Sequence, residues 1–295
     1  MTARWRADAQ RRKAARPFQA SRRAETGYVT DLRRIMGQVH AGVLQIVREE
    51  HLVAPEERRD AKPVGLGDEL LRKIVRFTKP QTEAAFTRMA KEVKKSQARS
   101  AAAQAKLEGD LAKRIALRLS LVGIDPPGVD GVIVAARAAN VRLITRASEA
   151  FLEQVRSVLE ENEGERPETI EGLLQERVGV SQSRAKLIAT DQILSLNGQV
   201  NEHRQRAAGV RKFTWSTSED ERVRKNVEWS ASDGRGGDEA HAELDGEVFS
   251  WDDLPLLDGE PCAPGSGQIN CRCTAIPWLP ELEEETGDDT EEAAE

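Results

Sequence analysis

Hydrophobic residues recur at intervals of three and four through most of residues 28–208, which predicts helices with one buried face. The clearest stripes lie at 28–50, 68–122 and 129–160. Pro80 should break the second stretch, because a proline inside a helix removes a hydrogen bond and clashes with the preceding turn. A short helix should start at Pro167. Ser181 or Ser183 should then cap a separate helix that runs to about Ala208 and stops at Gly209.

The pattern changes after Gly209, where aromatic and β-branched residues stand in short runs among glycine, aspartate and proline. This texture predicts a small unit of strands and loops that buries Trp215, Phe249 and Ile269. The predicted fold class is therefore α+β, a mostly helical N-terminal region followed by a small strand- and loop-containing C-terminal unit. The predicted divisions are a basic disordered arm (1–25), a helical region (26–125) with a loop at 54–67, a domain at 129–280 (helices 129–209, α+β unit 210–280) and an acidic disordered tail (281–295).

The net charge of −6 conceals an uneven distribution of charge along the chain. Residues 1–23 carry eight Arg or Lys against one Asp, whereas residues 281–295 carry nine Asp or Glu. The basic arm is a candidate phosphate-binding segment through Arg11, Arg12, Lys13 and Arg16. The alternative is that both ends are merely solvated, as runs of like charge usually are. No apolar run approaches the roughly 20 residues of a membrane span, so no membrane partner is expected.

The cysteines are an odd number, three, and all lie between residues 262 and 273, which argues against a disulfide framework and for a reducing compartment or metal chemistry. Together with a nearby histidine they offer the four ligands of a closed tetrahedral zinc site: His241, Cys262, Cys271 and Cys273. The alternative is that the cysteines are small buried hydrophobic residues, and no other cofactor is indicated. A bond between Cys271 and Cys273 is disfavoured, because residues two apart on a strand are poorly placed for disulfide geometry.

Asp191, Asn197 and Gly198 have low helix propensity but stand in the interior of a predicted helix, where Gln192 follows Asp191. We interpret them as side chains that hydrogen-bond the C-terminal unit, with a functional site as the alternative. The segment 211–224 should pair with a strand on or beside residues 270–273, which packs against the same helix. Arg272 should point away from its cysteine neighbours and pair with Asp191, Asp220 or Asp245.

Catalysis is not expected, because no phosphate-binding loop, dinucleotide fingerprint or nucleophile motif is present. Two less favoured readings remain open. His241 with Cys271 or Cys273 could form a base and nucleophile pair. Alternatively, Asp191, Asp220 and Asp245 could hold the metal of a hydrolase.

Seven pieces of sequence follow one another in a specific order in the second half of the chain. They are Ala189 to Gln192, Leu196 to Gln199, Trp215, Asp220 to Arg224 (with Arg222), His241 to Gly246 (with Asp245), Ser250 to Asp253, and Asn270 to Cys273. This succession resembles the phage Mu F-like head morphogenesis proteins, over residues of about 135 to 280. Two departures stand out: Thr190 replaces a usual arginine, and residues 225–240 are inserted before His241.

The resemblance implies a minor head protein of a tailed phage or prophage, made in the bacterial host cytoplasm and placed in the virion, inside the capsid near the portal. It implies the portal protein and other capsid or scaffold components as partners, with double-stranded DNA as a further candidate. It also implies work in head morphogenesis and in DNA packaging or ejection. The alternative is a stand-alone nucleic-acid-binding protein that uses the basic arm.

Overall fold

The computed structural model describes residues 21–49, 66–104, 113, 117–119, 122–123, 126–162, 165–217, 241, 243–257, 259–266 and 269–278. Four long helices come first: α1 (Arg22–Val47), α2 (Asp68–Gln104), α3 (Val129–Glu161) and α4 (Pro167–Ala207). Short strands follow: β1 (Lys212–Ser216), β2 (Val248–Ser250), β3 (Leu256–Leu257), β4 (Glu260–Pro261) and β5 (Thr274–Trp278). The predicted α+β class is confirmed, since helices dominate the described residues and every strand among them lies after residue 211.

The chain forms two compact units, each assembled from separate stretches of sequence. The first, which we call the helical unit, comprises Arg22–Lys91 and Val134–Gln192. The second, which we call the mixed unit, includes Glu92–Ile133 and the chain from Ile193 onward. The sequence predicts a domain boundary between residues 125 and 129. Each compact unit contains residues from both sides of that position. Independent folding of the two sides stays a prediction.

The core of the helical unit is apolar and follows the predicted helix stripes. Its buried residues are Val39, Val43, Leu44, Val47, Leu66, Ile74, Phe151, Leu152, Val155, Val158, Ile170 and Leu174. Tyr28 and Phe86 add an edge-on ring contact between α1 and α2, with centroids 6.3 Å apart. Because such side chains recur on one face of each helix, their burial supplies the main driving force for packing.

The predicted break at Pro80 is wrong, because α2 runs through it without interruption. A proline deprives the carbonyl four residues earlier, that of Arg76, of its helical partner, and side chains form extra hydrogen bonds to the carbonyls on either side of it. Gln81 donates to the carbonyl of Phe77 at 3.3 Å, and Thr78 donates to that of Val75 at 3.4 Å. Phe86 is fully buried just beyond. Tertiary packing thus outweighs the local preference.

The predicted division of residues 167–208 into two helices is also wrong, because α4 is continuous. Ser181 is not a cap: its hydroxyl is buried and lies 2.9 Å from Nε2 of His40. Ser183 donates to the carbonyl of Gly179 within the helix. The predicted stop is confirmed, since Gly209 has a φ of 77° and the N–H of Val210 donates to the carbonyl of Gln205 at 2.9 Å.

The mixed unit contains a three-stranded antiparallel sheet with the order β2-β1-β5. Strand β1 is central: Phe213 faces Phe249 on β2 and Pro277 on β5. Strands β3 and β4 form a separate antiparallel pair. The segment 211–224 is predicted from the sequence to pair with a strand on or beside residues 270–273. In the structure β1 pairs with β5, which begins directly after Cys273. Only residues up to Thr217 of that segment lie in the described part of the chain.

The core of the mixed unit combines aromatic rings with small sulfur-containing side chains. Trp215 and Phe213 are fully buried, and Phe213 stacks on Trp251 with centroids 4.1 Å apart. The predicted burial of Ile269 is wrong, since its side chain is 75% exposed. It lies in a turn next to Asn270, whose φ of 60° is left-handed, and the chain there turns before β5 begins.

Candidate functional site

The second half of α4 presents a buried polar face to the rest of the mixed unit. Asn197, Asn201, Arg204 and Gln205 recur at three- and four-residue spacing and are all at most 5% exposed. Buried polar groups destabilise a protein unless they form hydrogen bonds, so this face requires matching partners.

Strand β5 provides one of these partners. Asn201 and Gln205 both donate from their side-chain amides to the carbonyl of Ala275, each at 3.0 Å. Gln205 also donates to Oδ1 of Asn201 at 3.2 Å. These hydrogen bonds tie α4 to the start of the strand that follows the cysteines. The helix residues that form them, Asn201 and Gln205, are not the ones for which such bonds are predicted from the sequence.

Helix α2 provides the other partner, through Gln97, which is buried within the same unit. Gln97 donates to Oδ1 of Asn197 at 2.9 Å, and Arg204 donates to Oε1 of Gln97 at 3.2 Å. Arg204 also donates to the carbonyl of Gly123 at 3.3 Å. Burial lowers the pKa of the Arg204 guanidinium, because desolvation disfavours its charged form. These hydrogen bonds hold α4 in place through the neutral amides of Gln97 and Asn197 and the buried guanidinium of Arg204.

Gly198 allows a loop to approach the helix more closely than any other residue would. A Cβ at this position would lie 2.6 Å from the carbonyl oxygen of Pro264. Gly265 faces it with a φ of 81°, and a Cβ on that residue would meet the carbonyls of Cys273 and Leu194 at 3.2 and 3.3 Å. The two glycines therefore place the loop 263–266 directly on α4.

The residues Leu244 to Glu247 form a tight turn at the edge of the sheet. The N–H of Glu247 donates to the carbonyl of Leu244 at 3.0 Å, and Gly246 has a φ of 85°, as the third residue of a type II turn requires. Asp245 accepts hydrogen bonds from the N–H and hydroxyl of Thr217, at 2.9 and 3.1 Å. Asp245 and Gly246 thus hold the end of β1.

His241, Cys271 and Cys273 converge beside this turn, and all three are buried. Nδ1 of His241 lies 3.3 Å from Sγ of Cys273 and 3.6 Å from Sγ of Cys271. Trp215 presents its ring edge-on to His241, with centroids 5.6 Å apart. The N–H of Gly265 donates to Sγ of Cys271 at 3.4 Å. The ligand atoms of the three side chains lie within 4.8 Å of one another.

The two sulfurs of this cluster differ in acidity. A hydrogen bond from Cys273, assisted by His241, lowers the pKa of Cys271. The same hydrogen bond and burial raise the pKa of Cys273, because only one of two adjacent thiols readily gives up its proton. The thiols do not form a disulfide among the described residues, which include all three cysteines. Both sulfurs can act as donors to a metal ion.

Cys262, the fourth predicted ligand, is buried in the same apolar cluster but does not belong to the compact group of three. Its position after β4 is set by a hydrogen bond from its N–H to the carbonyl of Pro255 at 2.9 Å. Arg272 is half-buried between two buried cysteines, in agreement with an alternating orientation. Its predicted ion pair stays a prediction.

Several predicted site residues lie elsewhere. Asp191 and Gln192 belong to the helical unit, where they hydrogen-bond each other at 3.4 Å. Thr190, which stands where the resembled family usually has an arginine, donates to Oε1 of Glu25 at 3.3 Å. Outside the described residues lie Asp220, Arg222 and Arg224, the insertion 225–240, most of the loop 54–67, the acidic tail 281–295, and the arm residues Arg11, Arg12, Lys13 and Arg16.

The sequence did not predict the contacts by which Arg206 holds the turn after β2. Arg206 donates to Oδ1 of Asp252 at 2.6 Å and also to the carbonyl of Trp251. Its guanidinium lies 5.9 Å from the centroid of the Trp251 ring. The adjacent Trp and Asp were visible as a motif, but nothing local in the sequence pairs them with an arginine 46 residues earlier.

Comparisons with known proteins agree with these motifs. Residues 153–276 match the family model described as "Phage Mu protein F like protein". An uncharacterized protein of Haemophilus influenzae (strain ATCC 51907 / DSM 11121 / KW20 / Rd) is 27% identical over 177 residues, which is 59% of this chain. The chain spans only 36% of the length of that relative. No solved structure matches.

The matched segment contains all the described motif residues and the three clustered ligands. Within the described residues, no helix combines the length and hydrophobicity needed to cross a bilayer. The order of the motifs and the family match agree. Residues 153–276 are similar to the phage Mu protein F-like family, and the resemblance predicted from the motifs is confirmed.

Proposed function

We propose that this chain is a minor head protein of a tailed phage or prophage, acting in head morphogenesis and in DNA packaging or ejection without catalysing a reaction. The observation that carries the proposal is the match of residues 153–276 to the Mu F-like family. It covers the ordered motifs on which the resemblance to head morphogenesis proteins was based.

The roles of the motif residues support a structural role rather than catalysis. Asn197 and Gly198 hold α4 against α2 and the loop 263–266, and Asp245 and Gly246 hold the end of β1. The two cysteines and His241 are at most 7% exposed, so a substrate would have little access to them. These positions therefore specify a rigid shape, which suits a protein that acts by binding other capsid components.

A genetic experiment in the phage or prophage that carries the gene tests the proposal. A stop codon early in the gene should abolish or strongly reduce infectious particles, and supply of the chain in trans should restore them. Mass spectrometry of nuclease-treated, purified heads should find the chain in few copies together with the portal protein. Normal yield of particles and absence of the chain from purified heads would contradict the proposal.

The placement near the portal has a separate test. The chain and the portal protein of the same genome are co-expressed, and the complex is isolated by affinity and size-exclusion chromatography. We expect a defined complex that survives washing at moderate salt concentration. Association with the major capsid protein alone would keep the head role and reject the portal contact.

The basic arm favours a second candidate function, that of a stand-alone nucleic-acid-binding protein. Replacing Arg11, Arg12, Lys13 and Arg16 with Ala should weaken binding to duplex DNA and flatten its salt dependence, by about one unit of slope per lost phosphate contact. The matched control replaces four exposed cations of α2, Arg72, Lys73, Arg76 and Lys79, with the same change of charge. Equal effects of both sets would show that the arm has no special role.

A further inference from the structure

The cluster of His241, Cys271 and Cys273 combines three potential ligands at one buried point. We propose that Nδ1 of His241 and the Sγ atoms of Cys271 and Cys273 bind one zinc ion, which stabilises the mixed unit. The inference does not depend on the proposed role in phage heads.

The spacing of the ligand atoms fits a zinc coordination sphere. Zinc lies about 2.3 Å from a thiolate sulfur and about 2.0–2.1 Å from an imidazole nitrogen, so a tetrahedral arrangement places nitrogen and sulfur about 3.5 Å apart. The two nitrogen–sulfur distances here are 3.3 and 3.6 Å. One histidine and two cysteines also provide the nitrogen and soft sulfur donors that favour zinc over magnesium or calcium.

The surroundings of the ligands support metal binding. The N–H of Gly265 donates to Sγ of Cys271, which stabilises the negative charge of a thiolate. Trp215 packs against His241 and restricts the orientation of its imidazole. Metal ligands are commonly oriented by a hydrogen-bonding and apolar environment of this kind.

The described part of the mixed unit around the sheet is small. Its sheet has three short strands, and its apolar cluster contains nine buried residues, three of which are cysteines. A bound zinc ion links the chain at residue 241 to the segment before β5, and the free energy of metal binding then adds to the stability of the fold.

The first experiment needs no variant. The purified full chain, kept reduced, is depleted of metal with a chelator and titrated with Co(II), which reports tetrahedral thiolate coordination by its visible and near-ultraviolet absorption. We expect saturation at one ion per chain, displacement of Co(II) by Zn(II), and a Tm that falls on depletion and recovers on addition of zinc. No thiolate-to-cobalt absorption and an unchanged Tm would overturn the proposal and leave a metal-free hydrogen-bonded cluster.

Variants then identify the ligands. Cys271→Ser, Cys273→Ser and His241→Ala should each weaken zinc binding by at least about 100-fold, since even loss of an outer hydrogen-bond partner costs 10- to 100-fold. Cys262→Ser is the matched control: it removes a buried thiol of the same cluster, and it should keep one zinc per chain. Loss of zinc in the control, with or without loss in the other variants, or retention of zinc in all four variants would reject this ligand set.

Discussion

The helical unit and the mixed unit use different physical means to hold their elements together. In the helical unit, apolar side chains on one face of each helix pack on those of the next, and buried polar side chains such as His40 and Ser181 lie beside one another within this packing. In the mixed unit, side-chain amides of α4 donate hydrogen bonds to a carbonyl of β5, and Gly198 of α4 allows the loop 263–266 to contact the helix. The first arrangement tolerates many hydrophobic sequences, whereas the second requires particular residues at particular positions.

The largest expected loss of stability comes from substitutions in the two cores, which test whether the two units unfold independently. Trp215→Ala in the mixed unit and Phe151→Ala in the helical unit should each lower the free energy of unfolding by about 3–5 kcal/mol, because each removes a fully buried ring. Hydrogen exchange should show faster exchange in β1 and β5 for the first variant and in α3 for the second.

The control for this pair is Phe77→Ala, whose ring is 43% exposed. It should change stability by no more than about 0.5 kcal/mol. If both core variants accelerate exchange equally in both units, the contrast between the units is wrong and the chain unfolds as one body.

The next prediction concerns the buried histidine of the helical unit. His40 stacks on Phe151 and lies beside Ser181, and burial lowers its pKa from 6.5 to about 4. Between these values the unfolded chain binds more protons than the folded chain, so the free energy of unfolding falls as the pH falls from 6.5 to 4. One pKa unit is worth about 1.4 kcal/mol, so the full loss is about 3 kcal/mol.

Denaturant unfolding at pH 7 and pH 4, in the wild type and in His40→Gln, measures this contribution. Glutamine does not titrate, so the variant should lose about 3 kcal/mol less than the wild type between the two pH values. Parallel pH profiles would mean that His40 is accessible to protons in the folded state.

A substitution at the glycine contact should have an intermediate effect on the mixed unit. Gly198→Ala places a methyl group 2.6 Å from the carbonyl oxygen of Pro264, so the loop must shift. We expect a loss of about 1–3 kcal/mol in thermal or denaturant unfolding. Because Gly265 of the same loop donates to Cys271, zinc affinity should fall as well.

Gly172→Ala is the matched control in the same helix. Nothing lies within 4 Å of a Cβ at that position, so alanine should stabilise α4 by up to about 1 kcal/mol. Equal stability changes in the two variants would show that the loop 263–266 does not rest on Gly198.

The smallest effect is expected at the polar face of α4. Asn201→Ala should cost about 1 kcal/mol, because Gln205 still donates to the carbonyl of Ala275. Adding Gln205→Ala removes the second donor, and the double variant should lose more than the sum of the single losses. Gln199→Ala, on a half-exposed position of the same helix, should stay within about 0.5 kcal/mol and serves as the reference.

The helices of this protein could be predicted from sequence because their signal is local. Each buried stripe repeats within one helix, and Gly209 marks a helix end through its own backbone conformation. The predictions of a helix break at Pro80 and a helix cap at Ser181 are wrong, because whether a helix continues there depends on contacts with residues far along the chain. Phe86, six residues after the proline, is buried and packs edge-on against Tyr28 of α1, and the hydroxyl of Ser181 lies beside Nε2 of His40 instead of capping a helix.

The candidate site could be predicted in its residue types but not in its geometry. The sequence indicated a histidine and three cysteines, and the structure groups His241 with Cys271 and Cys273 but not with Cys262. Which thiols meet depends on the turn at Asn270 and on the loop at Gly265, neither of which hydrophobic periodicity describes. The exposure of Ile269 follows from the same turn.

The hydrogen bonds around Asp245 have a consequence for how this sequence can change length. Thr217 and Trp215 bond to residues 245–247, so the two ends of the intervening segment are held close together at the edge of the sheet. Doubling the length of a flexible segment between two joined ends costs only about 0.6 kcal/mol in closure entropy. The insertion at 225–240 is thus compatible with an unchanged sheet, and a peptide tag or fluorescent domain placed there would label the protein while the fold around β1 is preserved.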